Sequence, residues 1–212
     1  MKIALVGATG NIGRQIARHA LANGHQVTAV VRSEKDLPAE LAGAQLAIAA
    51  LDDTDALAAV IAGHDVLASA YGPRPGGRRG RGAGVAGDRL GAGRQGRVRG
   101  VGGVGGAGGL EVAPGLHRVD APGFPDAYRP YALAAREALK RLQAVDDLDW
   151  TFFSPAAEIG PGDERGQYRV QAKTFLADAS GHSRISYADY GAAFVAELEA
   201  GKYPKQIITA AY

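Results

Sequence analysis

The chain contains no cysteine, which excludes a disulfide framework and thiol chemistry. Its histidines, His19, His25, His64, His117 and His182, are scattered without the spacing of metal ligands, and no metal is expected. No apolar run approaches the roughly 18 residues that a membrane span requires. Charged Lys2 leads into an apolar strand and a glycine turn with no cleavage site, which argues against a secretory signal. These absences leave a soluble, cytoplasmic protein as the expectation. What is present suffices for one packed α/β domain: 212 residues, 46% of them hydrophobic, with a net charge of +2.

The first fourteen residues organise the rest. Ile3 to Val6 is an apolar run long enough for a buried strand. Gly7, Gly10 and Gly13 follow at three-residue spacing, and Ile12, Ile16, Ala17, Ala20 and Leu21 then recur with helical period. Strand, glycine turn and helix in this order let the backbone approach a pyrophosphate. The helix N-terminus meets the negative charge with free N–H groups and its dipole. The reading is a dinucleotide site, and the helix is predicted to run to Ala22 and to end at Gly24.

Gln26 to Val31 reads as the second strand and ends in Arg32-Ser33. An acidic side chain here would bond the adenosine ribose 2′-OH and repel a 2′-phosphate. Arg32, 19 residues past Gly13, instead offers a bidentate donor. NADP(H) is therefore expected in preference to NAD(H), with a solvated arginine as the alternative. Leu46 to Leu51 reads as a third strand. Of the following Asp52, Asp53 and Asp55, one carboxylate can cap a helix over Ala56 to Ala62 and another can face the adenine. Asp65 to Ala70 is the fourth strand, and Tyr71 lies at its C-terminal end, which faces the ligand crevice in a doubly wound sheet.

From Gly72 to Gly109 the composition changes. Seventeen of these 38 residues are glycine, and eight are arginine against a single acid, Asp88. A crossover helix and a buried strand belong here by length, but glycine costs about 1 kcal/mol per helical residue relative to alanine. Three readings compete: a long basic loop, a phosphate-binding Arg/Gly segment that lacks aromatics for stacking on bases, and a stretch read out of frame from GC-rich DNA. The missing aromatics argue against a nucleic-acid partner.

Ordinary sequence returns after Pro114. Ala121 to Tyr128 is a proline-rich loop carrying Phe124 and Tyr128. Arg129 to Val145 is a strong amphipathic helix, Asp149 to Phe153 a strand followed by Ser154-Pro155, and Ala156 to Gln167 a second loop. Tyr168 to Ala177 reads as extended. Ser186-x-x-Asp189 starts a helix to about Leu198, and Gln206 to Ala210 is a last strand.

Gly7-Ala-Thr-Gly-Asn-Ile-Gly13, Val30-Val-Arg-Ser33, Asp149-Trp-Thr-Phe-Phe-Ser-Pro155 and Ser183-Arg-Ile-Ser-Tyr-Ala-Asp-Tyr190 together resemble the atypical short-chain dehydrogenase/reductase group. Within it the chain is most similar to NADH-flavin reductases, relatives of biliverdin reductase B and of NmrA-like proteins. The likeness covers residues 1–71 and about 110–212. It implies one Rossmann-like, doubly wound α/β domain: a seven- or eight-stranded, mostly parallel sheet with helices on both faces. The cofactor-binding set expected on these grounds is Gly7, Thr9, Gly10, Asn11, Ile12, Gly13, Arg32, Ser33, Asp52, Ala70, Tyr71 and Pro155. Tyr71 and Ser154 are the candidates for a part in catalysis, and Phe124 and Tyr128 for stacking on the acceptor or, equally, for anchoring a loop.

The chain departs from that group in one respect besides the glycine-rich stretch. No tyrosine is followed by lysine four residues on, so the acid/base pair of the usual short-chain dehydrogenases is missing. A flavin or quinone acceptor places less demand on the protein, because solvent can supply the proton. The expectation is an NAD(P)H-dependent reductase of flavins, quinones or similar acceptors. An NADP(H)-binding sensor of NmrA type and a nucleotide-sugar epimerase or dehydratase are the alternatives.

Overall fold

The computed structural model describes residues 1–72 and 100–212. An eight-stranded sheet is built from β1 (Lys2–Val6), β2 (Gln26–Val31), β3 (Gln45–Ile48), β4 (Val66–Ser69), β5 (Gly100–Val104), β8 (Asp149–Ser154), β10 (Arg169–Ala172) and β12 (Gln206–Ala211). Their order is β10-β12-β8-β5-β4-β1-β2-β3, and only β10 runs antiparallel to its neighbour. Short pairs β6 (Glu111–Ala113) with β7 (Leu116–His117), and β9 (Glu158–Gly160) with β11 (Arg184–Ser186), flank it. The fold is the doubly wound α/β arrangement that the motifs imply, and strand order reverses between β1 and β4, where such sheets open a crevice.

Alternation along β1 shows why both faces are covered. Ile3 and Leu5 pack with Ile16 and Ala17 of α1 (Asn11–Ala22) and with Phe194 of α4 (Tyr187–Ala200). Ala4 and Val6 pack on the other side with Leu57 and Ile61 of α2 (Thr54–Ile61) and with Leu139 and Leu142 of α3 (Arg129–Gln143). Each helix start follows from its local chemistry. The Asp53 carboxylate accepts from Ala56 N–H at 2.9 Å, Pro130 sits in the first turn of α3, and the Ser186 hydroxyl accepts from Asp189 N–H at 3.0 Å.

Three expectations need correction. The third strand ends at Ile48 rather than Leu51, because only Gln45 to Ile48 pair with β2. The loop from Ala156 to Gln167 contains β9, which pairs with β11. Within Gly72 to Gly109, where composition indicated no strand, Gly100 to Val104 forms β5 between β4 and β8. The reason is tertiary. A Cβ on Gly102 would lie 2.8 Å from Leu198 Cδ2, one on Gly105 2.3 Å from the Phe152 ring, and one on Gly108 2.6 Å from Ala132 Cβ. Glycine is what lets the strand and the turn after it approach α4, β8 and α3. The remaining readings of this stretch, a crossover helix, a basic loop or a shifted frame, concern residues 73–99 and lie outside the described residues.

Candidate active site

Gly7 leaves β1 with φ +78°, and its carbonyl accepts from Gly10 N–H at 3.0 Å, closing a tight turn. A Cβ at Gly13 would sit 2.1 Å from the Gly7 carbonyl oxygen, so glycine is required for α1 to start this close to the strand. Gly10 is the N-cap of α1. It has no side chain to cap with, and no acid lies in the first turn. Among the described residues no side chain caps the N–H groups of that turn, and Thr9, Gly10, Asn11 and Ile12 line the cleft beside it. An uncapped helix N-terminus open to a cleft fits a pyrophosphate.

The cleft has a volume of about 1760 Å³. That exceeds the roughly 300–1,000 Å³ of a typical small-molecule pocket and leaves room for a second ligand beside a dinucleotide. Its wall carries Val30 and Val31 of β2 with Arg32 after it, Ala70 and Tyr71 after β4, Gly105 and Gly106 after β5 and Pro155 after β8, together with Arg118, Phe124, Tyr128 and Tyr131. Arg32 is exposed at the end of β2. Among the described residues, four arginines on this wall (Arg32, Arg118, Arg165 and Arg184) face two carboxylates, Glu158 and Asp163. Positive clefts concentrate anionic ligands.

Most of the residues expected from the sequence come together here: Gly7, Thr9, Gly10, Asn11, Ile12, Arg32, Ala70, Tyr71, Pro155, Phe124 and Tyr128 all line the cleft. Gly13 acts one layer behind, through the strand–helix approach. Ser33 and Asp52, both expected to bind the cofactor, are exposed and lie off the wall, and the carboxylate that caps α2 is that of Asp53. Ser154 is fully buried and donates its hydroxyl to the Gly106 carbonyl at 3.2 Å, so it is not brought to the wall. Its visible work is to hold the turn after β5. Phe124 is half-buried, with the guanidinium carbons of Arg118 and Arg129 at 6.0 and 5.6 Å from its ring centroid, whereas Tyr128 is 60% exposed. Among the described residues no cluster of acids and histidines is arranged to hold a metal.

One cluster was legible in the sequence only as a helix cap. The fully buried Asp189 carboxylate accepts from Arg165 and Gly166 N–H at 2.9–3.1 Å, from the Tyr212 hydroxyl at 2.7 Å and from the Ser186 hydroxyl at 3.3 Å. Tyr212 OH in turn accepts from Ser186 N–H at 3.0 Å, and the Arg165 guanidinium lies 4.2 Å over the Tyr212 ring. Asp189 thus ties the loop of Gly162, Asp163 and Arg165 and the Tyr212 ring, all on the cleft wall, to the start of α4. Burial pushes the Asp189 carboxyl up, but these donors outweigh it and hold its pKa below the usual carboxylate value. Tyr190 next to it is fully buried, its hydroxyl donating to the Phe153 carbonyl, and burial raises its pKa. It is a packing residue.

A parallel sheet with a glycine turn, an uncapped helix start and a cleft at the switch point defines a Rossmann-like dinucleotide-binding protein. The chain belongs to the NAD(P)H-binding family, whose model matches residues 7–200. Three solved structures are similar over the whole chain. A candidate exported protein of Burkholderia pseudomallei is 48% identical with TM-score 0.92, all of both chains being covered. A candidate epimerase of Bacteroides thetaiotaomicron is 34% identical with TM-score 0.91, over 100% of this chain and 96% of that one. A candidate NADH-flavin reductase of Streptococcus pneumoniae is 31% identical with TM-score 0.84, over 100% and 99%. No helix among the described residues is long and apolar enough to cross a membrane.

Proposed function

We propose that the protein is an NADPH-dependent reductase that delivers hydride to a flat conjugated acceptor, a flavin or a quinone. The observation that carries this reading is the make-up of the cleft. It combines a glycine turn and an uncapped helix start with an aromatic lining, and among the described residues no lysine lines it to prime a tyrosine. Alcohol oxidation and sugar epimerisation both require a positioned acid/base, and no tyrosine is followed by lysine at the fourth position after it. That weighs against the activity suggested by the likeness to a candidate epimerase. The likeness to a candidate NADH-flavin reductase supports the reductase reading.

The chain's own residues would act as follows. The first-turn N–H groups of α1 hold the pyrophosphate, with Gly7 and Gly13 keeping the backbone low enough for it to approach. Arg32 makes a bidentate contact with the 2′-phosphate, which sets the preference for NADP(H) over NAD(H). Ala70, Tyr71 and Pro155 border the nicotinamide. When bound, the nicotinamide supplies the hydride. Phe124 and Tyr128 offer apolar area and a stacking face for the acceptor. The protein contributes juxtaposition of two flat rings, and solvent contributes the proton. We assign the reaction to the cytoplasm, where reduced nicotinamide is regenerated.

Steady-state NADPH oxidation with riboflavin, FMN or a naphthoquinone tests the proposal. Acceptor-dependent turnover is expected. Tight NADPH binding with no oxidation in the presence of any of them would contradict it and favour a sensor.

A further inference from the structure

Arg118 does something that holding a nicotinamide cofactor does not require. It opens a short 3-10 turn, Arg118–Asp120, on the aromatic side of the cleft. Its backbone is pinned. The Arg118 N–H donates to the Leu110 carbonyl at 2.8 Å, Val119 is fully buried, and the Val119 carbonyl accepts from Arg129 Nη1 at 2.8 Å. The side chain is half-buried, and its guanidinium lies 4.6 Å from the Phe175 ring centroid and 6.0 Å from that of Phe124. Phe124 also carries the Arg129 guanidinium at 5.6 Å, so two positive charges share one ring.

The neighbouring carboxylates are already engaged. Asp120 pairs with Arg136 at 2.7 Å, Glu111 with Lys173 at 3.1 Å, and Asp126 with Arg129 at 3.2 Å. Among the described residues no hydrogen bond or ion pair involves the Arg118 guanidinium, and Arg118 lines the cleft. A guanidinium stacked on aromatic rings keeps its planar fork exposed at the edge. That geometry suits a phosphate or carboxylate and loses little rotamer freedom on binding. Partial burial strengthens the attraction.

We propose that Arg118 is a specificity residue for the acceptor, and that the preferred acceptor is a flat conjugated molecule bearing an anionic substituent, phosphate or carboxylate. The inference rests on the reductase reading and deepens it. The ring would stack beside Tyr128, and the anionic tail would pair with Arg118 on the same cleft wall. A neutral acceptor of the same ring system loses that contact.

Three flavins that share one ring system separate the possibilities: riboflavin without an anion, FMN with a phosphate and 10-carboxymethylflavin with a carboxylate. The wild type should show a KM for FMN roughly 10- to 100-fold below that for riboflavin. Arg118→Ala should bring the two within about twofold, and Arg118→Lys, a point charge without the fork, should retain part of the difference. An equal preference for 10-carboxymethylflavin and FMN assigns a general anion site, and a preference for FMN alone assigns a phosphate site. An FMN-to-riboflavin ratio that survives Arg118→Ala, in a protein that still binds NADPH, would overturn the proposal. If the wild type reduces none of the three, the reductase reading fails by itself. Equilibrium binding of FMN against riboflavin, followed by flavin fluorescence in wild type and variants, then decides the role of Arg118 on the same ratio.

Discussion

Replacing Asp189 by asparagine should loosen the wall of the cleft without removing any group that touches the cofactor. The side chain is nearly isosteric, so packing is preserved and the effect reads the hydrogen bonds. Asparagine keeps one oxygen, which continues to accept from Gly166 and Arg165 N–H. Its amide nitrogen replaces Oδ2, which takes the Tyr212 hydroxyl at 2.7 Å, the Ser186 hydroxyl at 3.3 Å and a second contact, 3.0 Å, from the Arg165 N–H that stays on Oδ1. Two charge-assisted bonds are lost, worth roughly 1.5–3 kcal/mol each. Part is regained, because the Tyr212 and Ser186 hydroxyls can rotate to accept from the new amide. The net cost is about 2–4 kcal/mol, a large share of the roughly 5–15 kcal/mol that holds a domain together. For a chain of this size Tm should fall by roughly 4–16 °C.

The effect should depend on pH in a definite direction. The folded-state pKa of Asp189 lies below the usual value because four donors face the carboxylate despite its burial. Its stabilisation is therefore complete above the unfolded-state pKa near 4 and is lost as pH falls through the lower folded-state pKa. Urea midpoints of wild type and Asp189→Asn should differ at pH 7 and converge as the pH drops below about 4. A difference under about 0.5 kcal/mol at pH 7, or one that stays constant into acid, would refute the assignment.

Two further outcomes are expected. Arg32→Ala should weaken NADPH binding roughly 10- to 100-fold and leave NADH nearly unchanged, measured by titration calorimetry; equal losses for both cofactors would reduce Arg32 to a surface charge. Tyr71→Phe and Ser154→Ala should each lower turnover less than the roughly 10²–10⁴-fold that accompanies loss of a general acid, and Ser154→Ala should act mainly through stability; a collapse of turnover in either, with NADPH affinity intact, would identify a proton donor.

The dinucleotide cradle was legible because it is local. β1, the three glycines and α1 occupy consecutive residues, and a strand, a turn requiring positive φ and a helical period can all be read along one stretch. The capping role of Ser186 was legible for the same reason, and that of the acidic run before α2 was legible without the choice of Asp53 within it. β5 was not. Its glycines read as a coil, and they belong in a strand only because Phe194 and Leu198 of α4 press on Gly102, while Phe152 fills the space beside Gly105. Arg118 gave no signal, since its meaning comes from Phe175, distant in sequence, and from carboxylates that pair elsewhere. Asp189 read as a cap because its neighbour in that role is three residues away; the loop donors Arg165 and Gly166 and the hydroxyl of Tyr212 are more than twenty residues away on either side. Ser154 was expected at the crevice from its place after a strand, but its hydroxyl turns back to the Gly106 carbonyl.

The central claim is that one cleft holds NADPH and a flat acceptor in contact. Its most direct test is an anaerobic single turnover. Enzyme loaded with one equivalent of NADPH is mixed with FMN, and nicotinamide and flavin absorbance are followed together. The account predicts that both fall at the same rate and in equal amounts, one flavin reduced for each NADPH oxidised. NADPH that stays bound and reduced while the flavin remains oxidised would contradict it.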